Sequence, residues 1–503
     1  MISKFLKKRG DWLLDAQELA AIQNLERNKR THYNISPIVL IQAPSDHYFL
    51  SLFLEVIKTY SQKGSHNFEG LQPTLYTLKQ KRDFLLPIRL IYSWVNKILS
   101  NRKWSRLYYG AGVNSITKVD HVSFITRLRF YPRAFKIWRT LKSKDDLINL
   151  NIDGIYCGDL IYDTYLRYRV RPTVNVQSIS MLYFIHSALC VLAFSEKVAQ
   201  SKTRIAALFS SYSTYIHHGI PVRVFLKHGI AVYTSGNFQQ RFKKLSITDA
   251  FHTKTHGSYA QDFKALDHQN EKIELGLSML KKKFSGVIDS ATAYMKQSAY
   301  GGSPLTHSKL DLDGVVFLHD FYDSPHIYSW MLFPDFYEWV EHTFSIIEKH
   351  NLNVGVKPHP NQVVESSQII NGLKRKYPSL KWIDPKTTNS QILNSGIKFG
   401  ISVYGTILHE LAYHGITPIC GGDNPHASFS FVQTPKNIKE YEEMIVHASD
   451  LKLPYGHKEQ VAAFYYMHNA NAVEGFAVNE RLFTGWNLLN GSSDLFLKVA
   501  KAE

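Results

Sequence analysis

Residues 397–422 read IKFGISVYGTILHELAYHGITPICGG and predict a strand, a helix and a second strand. The runs IKFGISV and TPICGG have the length and apolar content of buried strands, whereas Thr406 to His414 repeats its apolar residues with helical spacing. Parallel strands need a crossover connection, and the usual crossover is a helix. This stretch therefore indicates an α/β fold built on a parallel sheet.

The same alternation of strand and helix extends upstream of this stretch. Further strands are predicted at GVVFLHD (314–320), NVGVK (353–357) and LKWID (380–384). Helices are predicted between them, over residues 334–350 and 363–377. We expect a Rossmann-like domain over residues 301–455, which begins at the chain breaker Gly301 to Pro304 and binds its ligand at the carboxyl ends of its strands. Residues 456–503 are predicted to be helices that pack back on the body.

The first 300 residues carry this pattern less regularly. SPIVLIQAPS (36–45) predicts a first buried strand, and the amphipathic helix after it ends at Gly64. TRIAALF (203–209) and VRVFL (222–226) predict two more strands of the same sheet. We therefore expect a second Rossmann-like domain over residues 1–300.

The positive charge of the chain is concentrated in one segment. The sequence has 59 Lys and Arg against 42 Asp and Glu, a formal net charge of +17. Between Lys79 and Lys144 there are 16 Lys and Arg but only two acids, Asp83 and Asp120, so this segment contributes +14. Basic side chains interleaved with Trp, Phe and Leu suit an anionic membrane interface, and we expect a membrane-facing insertion at about 79–144.

The concentrated positive charge has two other interpretations. Ordinary amphipathic helices with solvated basic faces are the structural alternative to membrane contact. A nucleic-acid partner is not expected, because no recognised nucleic-acid-binding module accompanies the charge.

The sequence also favours a reducing, cytoplasmic location. Cys157, Cys190 and Cys420 form no C-x-x-C pair and exclude a disulfide framework and a zinc finger. The amino terminus reaches acidic residues before any apolar stretch of signal-peptide length, so secretion is not expected. Of two windows without charged residues, 172–195 has an apolar run only over Met181 to Phe194, and 205–222 is broken by Ser, His and Pro. We expect a protein that is soluble or peripheral at the inner face of the membrane.

Two turns at strand ends form the candidate donor site. In VGVKPHPNQ (354–362) a strand ends at Lys357, Pro358 stops it, and His359 and Pro360 precede a helix. A Lys and a His at a helix amino terminus favour a phosphate, although a loop histidine that caps a turn is the structural alternative. In the later turn, Ser402, Tyr404, Gly405 and Thr406 let backbone amides approach a phosphate, and Thr406 is the expected helix N-cap. Glu410, one turn further on, is placed to hydrogen-bond a ribose.

These residues carry a resemblance. The His359-Pro360 turn followed by Ser402-x-Tyr-Gly-Thr-x-x-x-Glu410 resembles the donor-binding half of GT-B glycosyltransferases that build bacterial surface polysaccharides. It is similar to capsule Kdo transferases, bacterial sialyltransferases and teichoic-acid glycerophosphate polymerases. The resemblance implies a GT-B fold, two Rossmann-like domains facing across a cleft. It also implies that His359 and the turn from Ser402 to Thr406 hold the phosphate of a nucleotide-activated donor, CMP- or UDP-linked, with no separate cofactor.

The first domain must then supply a base for the acceptor hydroxyl, and two candidates are open. His228 lies in FLKHGIAVYTSG, which resembles the His-Gly element of the glycerophosphate polymerases. Asp159 lies in NIDGIYCGDLIYDTYLR, which is similar to the acidic motif of the sialyltransferases. Helix N-capping by Asp159 and structural hydrogen bonding by His228 are the alternatives to catalysis.

A loop after the first strand of the second domain, HDFYDSPH (319–326), is a further candidate donor contact through Asp320 and Asp323. A metal site with His326 is the less favoured interpretation, so metal-independent transfer is expected. The sequence thus predicts a glycosyltransferase that moves a sugar or sugar acid to a lipid-linked or polymeric glycan in capsule or O-antigen synthesis. A CDP-glycerol or CDP-ribitol type polyol-phosphate transferase and a non-catalytic GT-B-like assembly factor at the membrane are the alternatives.

Overall fold

The structure is a computed structural model of the 503-residue chain. It describes residues 13–27, 37–64, 66–74, 102–201, 204–235, 241–253, 257–286, 310–327, 331–359, 365–385, 387–471, 475–477 and 493–501. Pro360, the chain breaker at 301–304 and residues 79–101 of the basic segment lie outside these ranges.

The first sheet has seven strands: β1 Ile38–Gln42, β2 Asn67–Gln72, β3 Ser115–Lys118, β6 Ile205–Ser210, β7 Ala231–Thr234, β8 Arg241–Lys244 and β14 Gly475–Ala477. Their order across the sheet is β14-β8-β7-β6-β1-β2-β3. Strands β7, β6, β1, β2 and β3 are parallel neighbours, and β8 and β14 add an antiparallel edge. Counted along the chain, the five parallel strands have the Rossmann order 3-2-1-4-5.

The second sheet has five strands: β9 Gly314–Phe317, β10 Val354–Lys357, β11 Lys381–Trp382, β12 Phe399–Ser402 and β13 Thr417–Cys420. All are parallel, and their order is β11-β10-β9-β12-β13, which is again 3-2-1-4-5. All five coincide with predicted strands. Two further short strands, β4 Asn151–Ile152 and β5 Ile155–Tyr156, form a hairpin whose turn is Asp153-Gly154, both with positive φ as such turns require.

Helices cover both sheets. Those before the second sheet are Ala16–Arg27, His47–Gln62, Phe124–Thr140, Lys144–Ile148, Gly158–Arg169, Ile179–Ala199, Ile220–Lys227, Tyr259–Lys264 and Gln269–Phe284. The others are Phe336–Lys349, Ser366–Lys376, Asn389–Leu393, Ile407–Tyr413, Ile438–Val446, His457–Asn469 and Ser493–Lys501. Residues 102–110 are also helical, Tyr215–Gly219 forms a π-helix and Pro325–Ile327 a 3₁₀ turn.

Local signals explain where these elements begin and end. The helix His47–Gln62 begins where the Asp46 carboxylate accepts hydrogen bonds from the backbone N–H groups of Tyr48 and Phe49, at 2.8 and 3.3 Å. It ends before Gly64, whose φ of +148° favours glycine. Every residue of β9, β10, β12 and β13 is buried, as expected of strands covered on both faces.

The predicted strand at Val222–Leu226 is wrong, because these residues belong to the helix Ile220–Lys227. Pro221 lies in its first turn, where a missing N–H costs nothing. All residues from Ile220 to Leu226 except Arg223 are buried, so the helix lacks the polar stripe that would have identified it. A short, almost wholly apolar run does not distinguish a buried helix from a buried strand. The strand that follows this helix, β7, is the one that pairs with β6 on the side away from β1.

The packing also differs from the predicted boundary at residue 300. Tyr259, Phe263 and Leu280 lie in the same hydrophobic core as Trp339 and the other residues around the second sheet. The tail divides between the two sheets: His457–Asn469 packs on the second core, whereas β14 and Ser493–Lys501 join the first. A continuous split of the chain at 300 and 455 therefore does not describe the two cores.

The predicted fold class, α/β with two Rossmann-like sheets, is confirmed, and this is the architecture that a GT-B-like fold requires. Cys157, Cys190 and Cys420 are free and buried. Among the described residues, one helix is long and apolar enough to cross a membrane, Ile179–Ala199. Of its apolar 18-residue stretch, 67% is buried inside the protein.

Candidate functional site

Three aromatic side chains meet at the carboxyl edge of the second sheet. His319, His359 and Tyr404 each lie two positions beyond the last residue of a strand, after β9, β10 and β12. Because β9 runs between the other two strands, His319 stands in the middle. Its ring centroid is 5.8 Å from that of His359 and 5.0 Å from that of Tyr404. This edge is where Rossmann-like sheets bind their ligands, so it is the candidate site of the second sheet.

His359 lies at this edge as a neutral ring. Burial, together with the nearby His319, lowers the pKa of His359 to about 4. At pH 7 the imidazole therefore has one N–H donor and one acceptor nitrogen. A bound phosphate would favour the protonated form and raise this pKa. The location of His359 fits the predicted phosphate contact, which stays a prediction.

Lys357, which was expected to contact the donor phosphate, is hydrogen-bonded to the protein backbone. Its ammonium group donates hydrogen bonds to the carbonyl oxygens of Asp384 and Pro385, at 3.1 and 2.7 Å. Burial lowers the pKa of Lys357 to about 8, which leaves the side chain mostly protonated at pH 7. Two of its three N–H groups thus hold the loop after β11, and a phosphate contact by the third stays a prediction.

The turn after β12 keeps its side chains occupied and its backbone open. The Ser402 hydroxyl donates to the carbonyl of Phe317 at 3.2 Å, and the Tyr404 hydroxyl donates to the carbonyl of Ser324 at 3.0 Å. Gly405 has φ +136°, and no atom lies within 4 Å of the position a Cβ would take. Thr406 is the N-cap of Ile407–Tyr413, but its side chain makes no capping hydrogen bond. Gly405 and Thr406, which are half-buried whereas Ser402 to Tyr404 are buried, are therefore the part of this turn that a ligand can approach.

Glu410 has a protein partner. Its Oε1 lies 2.8 Å from Nζ of Lys283, and both side chains are almost fully buried. Lys283 comes from the helix Gln269–Phe284 and also lies 3.4 Å from Nε2 of His409. The ion pair thus ties this helix to the second core, and the predicted ribose contact of Glu410 stays a prediction.

The loop after β9 connects the two halves of the protein. Asp320 accepts hydrogen bonds from the Ser366 hydroxyl at 3.0 Å and the Tyr322 backbone at 3.2 Å, while Asp323 accepts from the Ser324 backbone at 2.9 Å. At the end of the loop, Nδ1 of His326 lies 2.6 Å from Oδ1 of Asp163 in the first half. Within the described ranges, no three His, Cys, Asp or Glu residues form a group that could hold a metal ion.

A second buried contact lies beside this one. The carboxylate of Asp335 accepts hydrogen bonds from the hydroxyls of Tyr162 and Thr173, both at 2.6 Å, and lies 3.4 Å from Nζ of Lys144. Tyr162 and Asp163 are neighbours on the helix Gly158–Arg169. The sequence segment around Asp159 therefore does reach the second half, but through these two residues.

Asp159 itself is held by an arginine. Its two carboxylate oxygens accept hydrogen bonds from Nη1 and Nη2 of Arg223, at 2.6 and 2.5 Å. Burial lowers the pKa of Arg223, but the Asp159 carboxylate more than offsets this and the net shift is upward. The N-cap of the helix is Cys157, so the alternative of N-capping by Asp159 is wrong. The proposed role of Asp159 as a base stays a prediction.

His228 does not follow a strand. It is the C-cap of Ile220–Lys227, and its Nε2 lies 2.6 Å from Oε2 of Glu196. The adjacent Lys227 donates to the carbonyl of Asp153 at 2.8 Å. The expected strand end at Lys227 was the reason for directing His228 toward the cleft, and that reason no longer holds. Its role as a base is not tested by this geometry.

Sequence reasoning missed a cluster at the carboxyl edge of the first sheet. Gln42 ends β1, Ser211 follows β6, and His218 lies on the π-helix after it. Oε1 of Gln42 is 2.6 Å from Nδ1 of His218 and 3.0 Å from the Ser211 hydroxyl. His217 and His252 are buried beside them. The signal in the sequence is His217-His218-Gly219, which follows a buried strand within a few residues and also interrupts the apolar window 205–222.

The described part of the basic segment includes an unusually exposed helix. In Phe124–Thr140 only Ala134 is buried. Four large side chains, spaced four, three and four residues apart, form one exposed apolar stripe: Phe124, Leu128, Tyr131 and Phe135, which are 47–74% exposed. Arg129, Lys136 and Arg139 occupy neighbouring exposed positions.

Comparison with known proteins gives only distant structural likenesses. No protein-family model matches this chain, and no curated protein matches it either. A solved structure that it resembles is KpsC of Thermosulfurimonas dismutans, described as a beta Kdo 2,7 transferase. The likeness covers 61% of this chain and 88% of the KpsC chain, with 14% sequence identity and a TM-score of 0.31.

Proposed function

We propose that this chain is a glycosyltransferase that moves a sugar or sugar acid from a nucleotide-activated donor to a lipid-linked or polymeric surface glycan. The observation that carries the proposal is the group formed by His319, His359 and Tyr404 at the carboxyl ends of three adjacent parallel strands. A polar cluster at the equivalent edge of the first sheet supports a two-substrate reaction, because each sheet then has one ligand edge.

In this proposal the second sheet binds the donor, a CMP- or UDP-linked sugar. His359 donates an N–H to a phosphate oxygen, and the open backbone at Gly405 supplies further donors. Fixed donors aimed at the phosphate stabilise the negative charge that develops on it as the sugar leaves. Binding beside His359 would also replace water next to a half-buried ring, which strengthens each hydrogen bond.

The exposed helix supports a location of the protein at a membrane, where a lipid-linked acceptor would lie. In the proposal, the apolar stripe of Phe124–Thr140 enters an anionic lipid surface while Arg129, Lys136 and Arg139 contact lipid phosphates. This would hold the protein at the inner face of the cytoplasmic membrane, where a lipid-linked glycan of capsule or O-antigen synthesis is available.

Thermal unfolding in the presence of CMP, CDP, UDP and GDP tests the donor site. We expect one nucleotide to stabilise the protein by about 2–3 kcal/mol at a concentration 100 times its Kd. His359→Ala should abolish this effect, whereas His268→Ala, at an exposed helix end, should retain it. No response to any nucleotide would contradict the transferase and favour an assembly factor. A response to the cytidine nucleotides, with glycerol phosphate or ribitol phosphate transferred instead of a sugar, would identify the polyol-phosphate alternative.

A further inference from the structure

The cluster at the first sheet lies at the point where the strand order reverses. Gln42 ends β1 and Ser211 follows β6, and these two strands are neighbours in the middle of the sheet. In a 3-2-1-4-5 sheet the crevice between strands 1 and 4 is the topological switch point, which is the usual ligand position. His218 is brought back over this crevice by the π-helix Tyr215–Gly219, a type of turn often found at functional sites.

Hydrogen bonds determine which nitrogen of His218 carries its proton. The backbone N–H of Ser211 lies 3.2 Å from Oε1 of Gln42, and an N–H can only donate, so the amide oxygen faces this group. The same oxygen is 2.6 Å from Nδ1 of His218. Since that oxygen only accepts, Nδ1 carries the hydrogen and Nε2 carries a lone pair. No described residue hydrogen-bonds to this Nε2.

Two more polar atoms of the cluster lack partners among the described residues. Nε2 of Gln42 and Nδ1 of His217 are buried and make no hydrogen bond there. An unsatisfied buried polar group costs about 1–3 kcal/mol, so such groups persist where a ligand or ordered water satisfies them. The histidines of the cluster are uncharged, because burial lowers the pKa of His217 to about 3 and that of His252 to about 4. Neutral donors and acceptors suit sugar hydroxyls.

The backbone next to the cluster is strained at Tyr215 and closely packed at Gly219. Tyr215 has φ +64°, a left-handed conformation that costs about 1 kcal/mol or more for a residue with a side chain. A Cβ on Gly219 would lie 2.5 Å from both Leu160 and the carbonyl of Ser213. The His-His-Gly turn therefore requires its glycine in order to hold His218 against the sheet.

One residue connects this cluster to the donor edge. The carbonyl of Ser324 accepts a hydrogen bond from the Tyr404 hydroxyl, and the Ser324 side chain lies near Tyr215, which begins the π-helix. Tyr404 in turn contacts His319. The loop after β9 thus lies close to residues of both ligand edges.

We propose that this cluster is the acceptor site, that it binds a hydroxyl-bearing sugar, and that His218 is its catalytic base. The inference rests on the proposed transferase. The acceptor oxygen forms a bond to the activated carbon of the donor sugar while the bond from that carbon to the phosphate oxygen breaks. The bonding pair leaves with the nucleotide phosphate, and the hydroxyl proton passes to Nε2 of His218.

A neutral, weakly basic imidazole is sufficient for this step. Burial lowers the pKa of His218 well below its ordinary value, so the lone pair is available at pH 7. The acceptor hydroxyl becomes strongly acidic once its oxygen has begun to bond to the electron-poor sugar carbon. Proton transfer then needs a positioned acceptor more than a strong base.

The test measures nucleotide release from a panel of CMP- and UDP-linked sugars, with a bacterial glycolipid extract as acceptor. His218→Gln should reduce release about 100-fold or more while leaving the nucleotide-induced thermal shift unchanged. Nucleotide release by His218→Gln at the wild-type rate would overturn the assignment. If His228→Gln then lost release about 100-fold, His228 would be the base instead. If the wild-type protein gives neither thermal shift nor release, the transferase itself is wrong, and the assignment with it.

A second variant keeps the inference testable if His218→Gln does not fold. Gln42→Glu places a carboxylate on Nδ1 of His218, which favours the imidazolium and raises the pKa of this base. The acid limb of the pH profile of kcat/KM should then move to higher pH. An unchanged profile in a folded variant that binds nucleotide would contradict the role of His218.

Discussion

His326 Nδ1 lies 2.6 Å from Asp163 Oδ1, and this buried pair joins the loop after β9 to the helix Gly158–Arg169. The two side chains are 11% and 2% exposed. Removing one partner of a buried ion pair leaves an uncompensated group, so Asp163→Ala should reduce the free energy of unfolding by about 3–5 kcal/mol. Urea denaturation measures this, and a loss under 1 kcal/mol would contradict the contact.

The same pair predicts a pH dependence of stability. Burial raises the pKa of Asp163 to about 6. Burial alone would lower the pKa of His326, but the Asp163 carboxylate outweighs it and the net shift is upward. Both groups therefore bind protons more tightly in the folded state, and their contribution to stability falls as pH rises from about 4 through the raised pKa of His326. The double variant Asp163→Asn/His326→Gln should show a flatter decline in urea stability over this range than the wild-type protein.

Arg223 and Asp159 are expected to act as a structural pair. Arg223→Ala leaves the Asp159 carboxylate buried without its two guanidinium hydrogen bonds, and should cost about 3–5 kcal/mol. Replacing both by apolar residues, in Arg223→Met/Asp159→Leu, should restore most of this loss because no charge then remains buried. Equal destabilisation by the single and double variants would count against the pairing.

The close approach of two helices gives a test of the second core. A Cβ on Gly276 would lie 2.3 Å from the carbonyl oxygen of Ala462, so Gly276→Ala must push Gln269–Phe284 away from His457–Asn469. We expect a loss of about 1–3 kcal/mol in thermal or urea unfolding. Gly372→Ala, in a helix with open space around its Cβ position, is the matched control and should stabilise by about 0.5–1 kcal/mol.

The exposed helix predicts binding to anionic vesicles. Phe124→Ser/Leu128→Ser removes two of the stripe's four large side chains, each worth about 1.5–3 kcal/mol when buried, so vesicle affinity should fall at least tenfold. Co-sedimentation with phosphatidylglycerol vesicles measures it, and binding should weaken as salt rises. Tyr455→Ser, at an exposed aromatic elsewhere, should have no effect. Equal binding by wild-type protein and double variant would refute this membrane contact.

Sequence signals worked where they were local. The five strands of the second sheet were predicted because each is a short apolar run next to a turn or a helix with its own periodicity. The helix at Ile220–Lys227 was missed because burial on nearly all sides removes that periodicity. The location of His359 at the sheet edge was predictable because a His-Pro turn follows the end of a strand. His218 was missed because its significance depends on Gln42, 176 positions away.

By itself the sequence determined the α/β class, the strands of the second sheet and the positions of His359 and the turn from Ser402 to Thr406, since each depends on neighbours within one or two elements. Only the tertiary structure decided that Lys357 and Glu410 have protein partners and that Asp159 is held by Arg223. The same is true of two pairs that are distant in the sequence, Asp163 with His326 and Gln42 with His218. Strand order brings such residues together, and strand order is a property of the sheet that no local pattern encodes.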